Sequence, residues 1–83
     1  MTIGTAWQYA RLRGRYQPVS HDWEYDWIWP DGSRETVMSG DLEQLNRAGA
    51  GGWELVTVDR DEHLIRYTLK RPVPAGAGQG RLR

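Results

Sequence analysis

Apolar and polar side chains succeed one another along most of the chain at the two-residue period of extended strands. Residues 5–13, TAWQYARLR, read as a first strand, and residues 14–22, with Gly14, Pro18 and Asp22, as a loop. Residues 23–29, WEYDWIW, alternate aromatic with acidic positions and predict a second strand. Trp29-Pro30-Asp31-Gly32-Ser33 predicts a turn: Pro30 presets φ, Asp31 suits the next position, and Gly32 can take a positive φ. Residues 34–38, RETVM, then return as the hairpin partner.

The period lengthens after Met38. Ser39 or Asp41 can cap a helix, and Asp41 with Gln44 resembles a capping box. Leu42, Leu45 and Ala48 or Gly49 form a narrow apolar stripe, and Gly49 stands where a left-handed residue would end the helix. About two turns of helix are marginal alone in water, so packing must hold them. Strands follow at 53–59 and 63–70, joined by the polar turn 59–62. The order is β-ββ-α-ββ, an α+β fold with a small antiparallel sheet and one short helix on one face. Residues 1–71 form a single domain in this reading. Residues 72–83, PVPAGAGQGRLR, have little to bury and read as a flexible Pro/Gly-rich tail.

Strand alternation places Trp23, Tyr25, Trp27 and Trp29 on one face of the hairpin, and Glu24, Asp26 and Ile28 on the other. A three-residue turn pairs Trp29 with Ser33, Trp27 with Glu35 and Tyr25 with Val37. An aromatic face beside polar and acidic partners has three readings: the intramolecular core, a protein interface, or a platform on which bases or sugars stack. In the strand 53–59, Trp53 and Leu55 point one way and Val56 and Val58 the other, which suggests that both sheet faces are at least partly covered.

Leu45 to Val56, LNRAGAGGWELV, resembles the core of the small bacterial proteins grouped as domain-of-unknown-function family 4177. Trp7-Gln8-Tyr9 is similar to that family's first strand, and Tyr67 to Pro72 to its last. Residues 14–38 stand out against that pattern as an inserted loop and β-hairpin. The resemblance implies a fold and a bacterial setting, with no catalytic residues to carry over.

Composition narrows the function. Eleven basic residues balance eleven acidic ones, which removes the strong positive field expected of a dedicated nucleic-acid binder. Five Trp and four Tyr stand beside no Phe, a usage suited to half-buried surfaces. There is no cysteine to form a disulfide or a thiolate zinc site, and no apolar run near the roughly 20 residues that span a bilayer. These features fit a soluble cytoplasmic protein without a membrane contact. His21 and His63 lack metal-ligand spacing, and both read as surface residues. Gly49 to Gly52 precede a strand, the wrong context for a phosphate-cradling loop. No catalytic residues, metal or cofactor are expected.

The reading that follows is a non-enzymatic interaction or structural module. It binds a protein partner or a second copy, as a homo-oligomer, through Trp23, Tyr25, Trp27 and Trp29. The alternative is weak binding of single-stranded nucleic acid through Arg11, Arg13 and Arg15, with Lys70 and Arg71 beside them if the end strands pair, and with aromatic stacking. A solvated edge that guards against strand-to-strand aggregation is the plainer account of those arginines.

Overall fold

In the computed structural model, which describes residues 6–73, five antiparallel strands and one helix follow the order β1 (Trp7–Gln17), β2 (Asp22–Ile28), β3 (Arg34–Val37), α1 (Asp41–Ala50), β4 (Glu54–Arg60) and β5 (Leu64–Pro72). The sheet order is β3-β2-β1-β5-β4, so the first strand lies at the centre beside the last. The connection through α1 carries the chain from one edge of the sheet to the other. Pro72 closes β5, and the rest of the expected tail, from residue 74, lies outside the described residues.

The first strand runs four residues beyond its expected end, straight through Gly14. Gly14 continues the ladder opposite Tyr25 on one side and Ile65 on the other. A Cβ there would lie 2.6 Å from Tyr25 Cε1 and 2.8 Å from Ile65 Cγ2. The glycine makes room for those side chains and does not break the strand. Residues 14–38 accordingly form no separate layer; β2 and β3 extend the same sheet. The hairpin register is the one its turn predicts: Tyr25 faces Val37 and Trp27 faces Glu35. Gly32 adopts φ +85°, and Asp31 Oδ1 accepts hydrogen bonds from the Ser33 amide at 3.0 Å and the Ser33 hydroxyl at 2.7 Å.

Expectations about the helix and about β4 are corrected. The N-cap is Gly40, without a side-chain cap bond, and Asp41 lies inside the first turn, where its Oδ1 accepts from the Leu42 amide at 2.9 Å. Asp41 accepts from the Tyr67 hydroxyl, and Gln44 donates to Ser39 and accepts from the Trp27 indole. The buried side of α1 is therefore Gln44 and Ala48 with Leu45 beside them, while Leu42 is 68% exposed. The helix ends later than expected, at Ala50, and Gly52 rather than Gly49 takes the positive φ, +93°. In β4 the register slips between Leu55 and Thr57. That bulge sets Leu55 opposite Leu69 and Val58 opposite Tyr67, both on the helix side. Leu55, Val56 and Val58 all remain about half exposed, at 51%, 46% and 48%.

The core lies between α1 and the sheet: Ala10 and Leu12 from β1, Trp27 from β2, Ile65, Tyr67 and Leu69 from β5, with Ala48 and Trp53. Burying such residues at about 25 cal/mol per Å2 of apolar surface is what holds the short helix in place.

Candidate functional site

The aromatic face of the hairpin is the face beneath the helix. Trp27 is 2% exposed, and its Nε1–H donates to Gln44 Oε1 at 2.9 Å. Trp23, Tyr25 and Trp29 are half-buried around that core. Of the four expected binding residues, the structure thus puts one inside and three at the margin of the helix.

Trp29 sits at the margin where a cleft opens. Its ring stacks on Trp27 at 4.7 Å between centroids and lies 6.2 Å from the tilted ring of Trp53. Trp29 Nε1–H donates to Glu35 Oε1 at 3.0 Å, across the hairpin pair. The cleft, of about 270 Å3, is walled by these rings, Glu35, the helix residues Gln44 and Arg47, and Arg71 from β5. Arg71 is held firmly: its guanidinium lies 4.5 Å over the Trp53 ring, Nε donates to Gln8 Oε1 at 2.6 Å, and an Nη donates to the Gly51 carbonyl at 3.1 Å. The Arg47 side chain is 73% exposed and reaches Glu43 only at 3.8 Å, so it can swing over the opening. The sequence reading had left Trp53, Arg47 and Arg71 out of this site. They come from three elements, and only the return of the chain after Gly52 brings Trp53 to Trp29.

At the other end of the helix-side face, Trp23 meets Tyr16 edge-on at 5.6 Å, and the Tyr16 hydroxyl lies 3.1 Å from His21 Nδ1. The His63 ring is 6.0 Å from Tyr16, so both histidines gather at this end. Tyr25 and Tyr67 are less acidic than ordinary tyrosines because burial, and then the nearby Asp41 carboxylate, disfavour the phenolate; Tyr67 is pushed up to about 12.

Arg11, Arg13 and Arg15 share the opposite face of the sheet, which no described element covers, and they are not equivalent. Arg13 forms a fork with Asp26, through Nε at 3.2 Å and Nη2 at 2.9 Å, which raises the guanidinium pKa and occupies the charge. Arg15 stands opposite Glu24. Arg11 stands between Ile28 and Thr68, with no carboxylate opposite it. Lys70 joins this face opposite Tyr9, whereas Arg71, the next residue along the strand, points to the helix side with Gln8. The aromatics on the arginine face are Trp7 and Tyr9, not those of the hairpin.

Among the described residues no group of three or more His, Cys, Asp or Glu is placed to hold a metal ion, and no helix is long and apolar enough to cross a membrane. No family model matches the chain, and no curated protein or solved structure is found to be similar to it.

Proposed function

We propose that the protein is a small non-enzymatic interaction module that grips a partner protein at the margin of its hairpin aromatic face. The observation that carries this reading is the cleft in which Trp29 and Trp53 meet Glu35, Arg47 and Arg71. Tryptophan and arginine are the residues that most often dominate protein interfaces, because each offers a large, rigid contact area. Here the rings are fixed by stacking and hydrogen bonds, so little ordering entropy is lost on binding. The exposed Arg47 guanidinium at this cleft favours an acidic partner segment, with an apolar or aromatic side chain against Trp29.

The test is an arrayed decapeptide library probed with the tagged protein and with Arg47→Glu and Trp29→Ala variants. Acidic, aromatic-containing peptides should bind the parent protein and be lost with either variant. Binding indifferent to both substitutions removes the cleft as the site. Light scattering on the parent protein reads self-association separately. A dimer mass that reverts to monomer with Trp29→Ala would identify the partner as a second copy.

A further inference from the structure

The uncovered face of the sheet is divided. Its lower rows set Arg13, Arg15 and Arg66 among Asp22, Glu24, Asp26 and Asp59. Among the described residues, its upper rows hold Arg11, Arg34 and Lys70 against Glu54 alone. The exposed aromatics of this face belong to the upper rows: Tyr9 is 54% exposed and Trp7 39%. Lys70, opposite Tyr9 in the ladder, sets its Nζ 4.0 Å over the Trp7 ring. A shallow cleft of about 220 Å3 opens next to Tyr9, lined also by Arg11, Ile28, Pro30 and Thr68.

From this arrangement we infer that the upper half of the open face binds single-stranded nucleic acid, with one base stacked on Tyr9 in the cleft and the flanking phosphates at Lys70 and Arg11. A base needs a π-face and an apolar wall, which Tyr9, Ile28 and Pro30 supply. A phosphate on either side of it needs a cation on either side of the ring. Arg11 lies two residues along the strand from Tyr9, about 6.6 Å, and Lys70 lies on the neighbouring strand, about 4.8 Å away. A duplex keeps its bases stacked inside, so only a single strand can present one to an open sheet. The site does not include Arg13, which is bound to Asp26, or Arg15, which stands farther along the strand opposite Glu24.

The experiment is fluorescence anisotropy of labelled dT12 and U12 with the full chain at 50 and 200 mM salt. Two neutralised phosphates predict a fall in affinity of about 7-fold over that salt range, from a slope of about 0.7 per phosphate on single strands. Tyr9→Ala should weaken binding by about 5-fold or more, since a stacked base is worth about 1–3 kcal/mol. Arg11→Gln should weaken it and flatten the salt slope, while Arg15→Gln, on the same strand and face, should leave both unchanged. Circular dichroism of each variant verifies the fold, and Tyr9→Phe, which keeps the ring, should restore affinity if stacking is the cause. Tighter binding of U12 than dT12 would identify the ligand as RNA, and the reverse as DNA. No binding of either at 50 mM salt overturns the inference, and so does an equal loss with Arg15→Gln and Arg11→Gln.

Discussion

Replacing Gly14 with alanine tests how β1 is built. The added Cβ would sit 2.6 Å from Tyr25 Cε1, 2.8 Å from Ile65 Cγ2 and 3.0 Å from Tyr25 Cδ1. Carbon atoms in contact rest about 3.5–4.0 Å apart, so the neighbours must move by about 1 Å. The Tyr25 ring is half-buried and can tilt outward, but Ile65 is 6% exposed and fixed within the core. Overpacking of this kind costs about 1–3 kcal/mol. Loss of glycine freedom in the unfolded chain returns about 0.4–1 kcal/mol. The net expectation is a destabilisation of about 1–2 kcal/mol. Urea unfolding followed by tryptophan fluorescence should show the midpoint falling by about 1 M at an m-value of about 1–2 kcal/mol/M. The clash is shared with Tyr25, so Gly14→Ala combined with Tyr25→Ala should be more stable than the two single effects add up to, by about 0.5 kcal/mol or more. A Gly14→Ala protein as stable as the parent, or strict additivity in the double variant, would refute the claim that the Tyr25 ring lies across this glycine.

Three further outcomes follow from the packing. Trp27→Phe removes the donor to Gln44 and leaves a buried oxygen without it, so thermal melts should show a loss of about 1–3 kcal/mol beyond lost area, partly recovered by Gln44→Leu. Tyr67 keeps its proton more tightly when folded, so its contribution is complete below pH 10 and disappears as pH rises through about 12. Urea midpoints taken from pH 9 to 12 should therefore fall by up to about 2 kcal/mol of stability, and Tyr67→Phe should flatten that fall. Arg13→Ala strands the Asp26 carboxylate, only 12% exposed, and should cost about 1–3 kcal/mol, measurable in the same urea assay and smaller when Asp26→Asn is added.

Much of the architecture is legible in the chain because its strands are locally consistent. The alternation of 23–29 and the Pro-Asp-Gly turn together determine a hairpin register that the structure shares. What was not legible depends on distant residues. Gly14 reads as a break until Tyr25 and Ile65 are seen to need its space. Asp41 and Gln44 read as a capping box until Tyr67 and Trp27 recruit them inward. The bulge at Val56 has no local signature, and without it every later residue of β4 is assigned to the wrong face. The aromatic hairpin was visible as a candidate site, but which of its rings lies inside depended on where a two-turn helix comes to rest. The cleft partners Arg47, Trp53 and Arg71 are strung across 25 residues and converge only in three dimensions.

The pairing of β1 with β5 has a consequence for how the chain acquires its shape. Residues 7–37 can zip up as a meander of neighbouring strands as soon as they are made. The second edge of β1 must wait for residues 64–72, and until then Ala10 and Leu12 have no cover from β5. Pairings across such sequence separation are slow to form because the loop must close before any contact rewards it. A ribosome halted anywhere before Leu64 would hold a half-sheet with an open central edge. Such an intermediate would call for a chaperone more than the small size of the finished domain suggests.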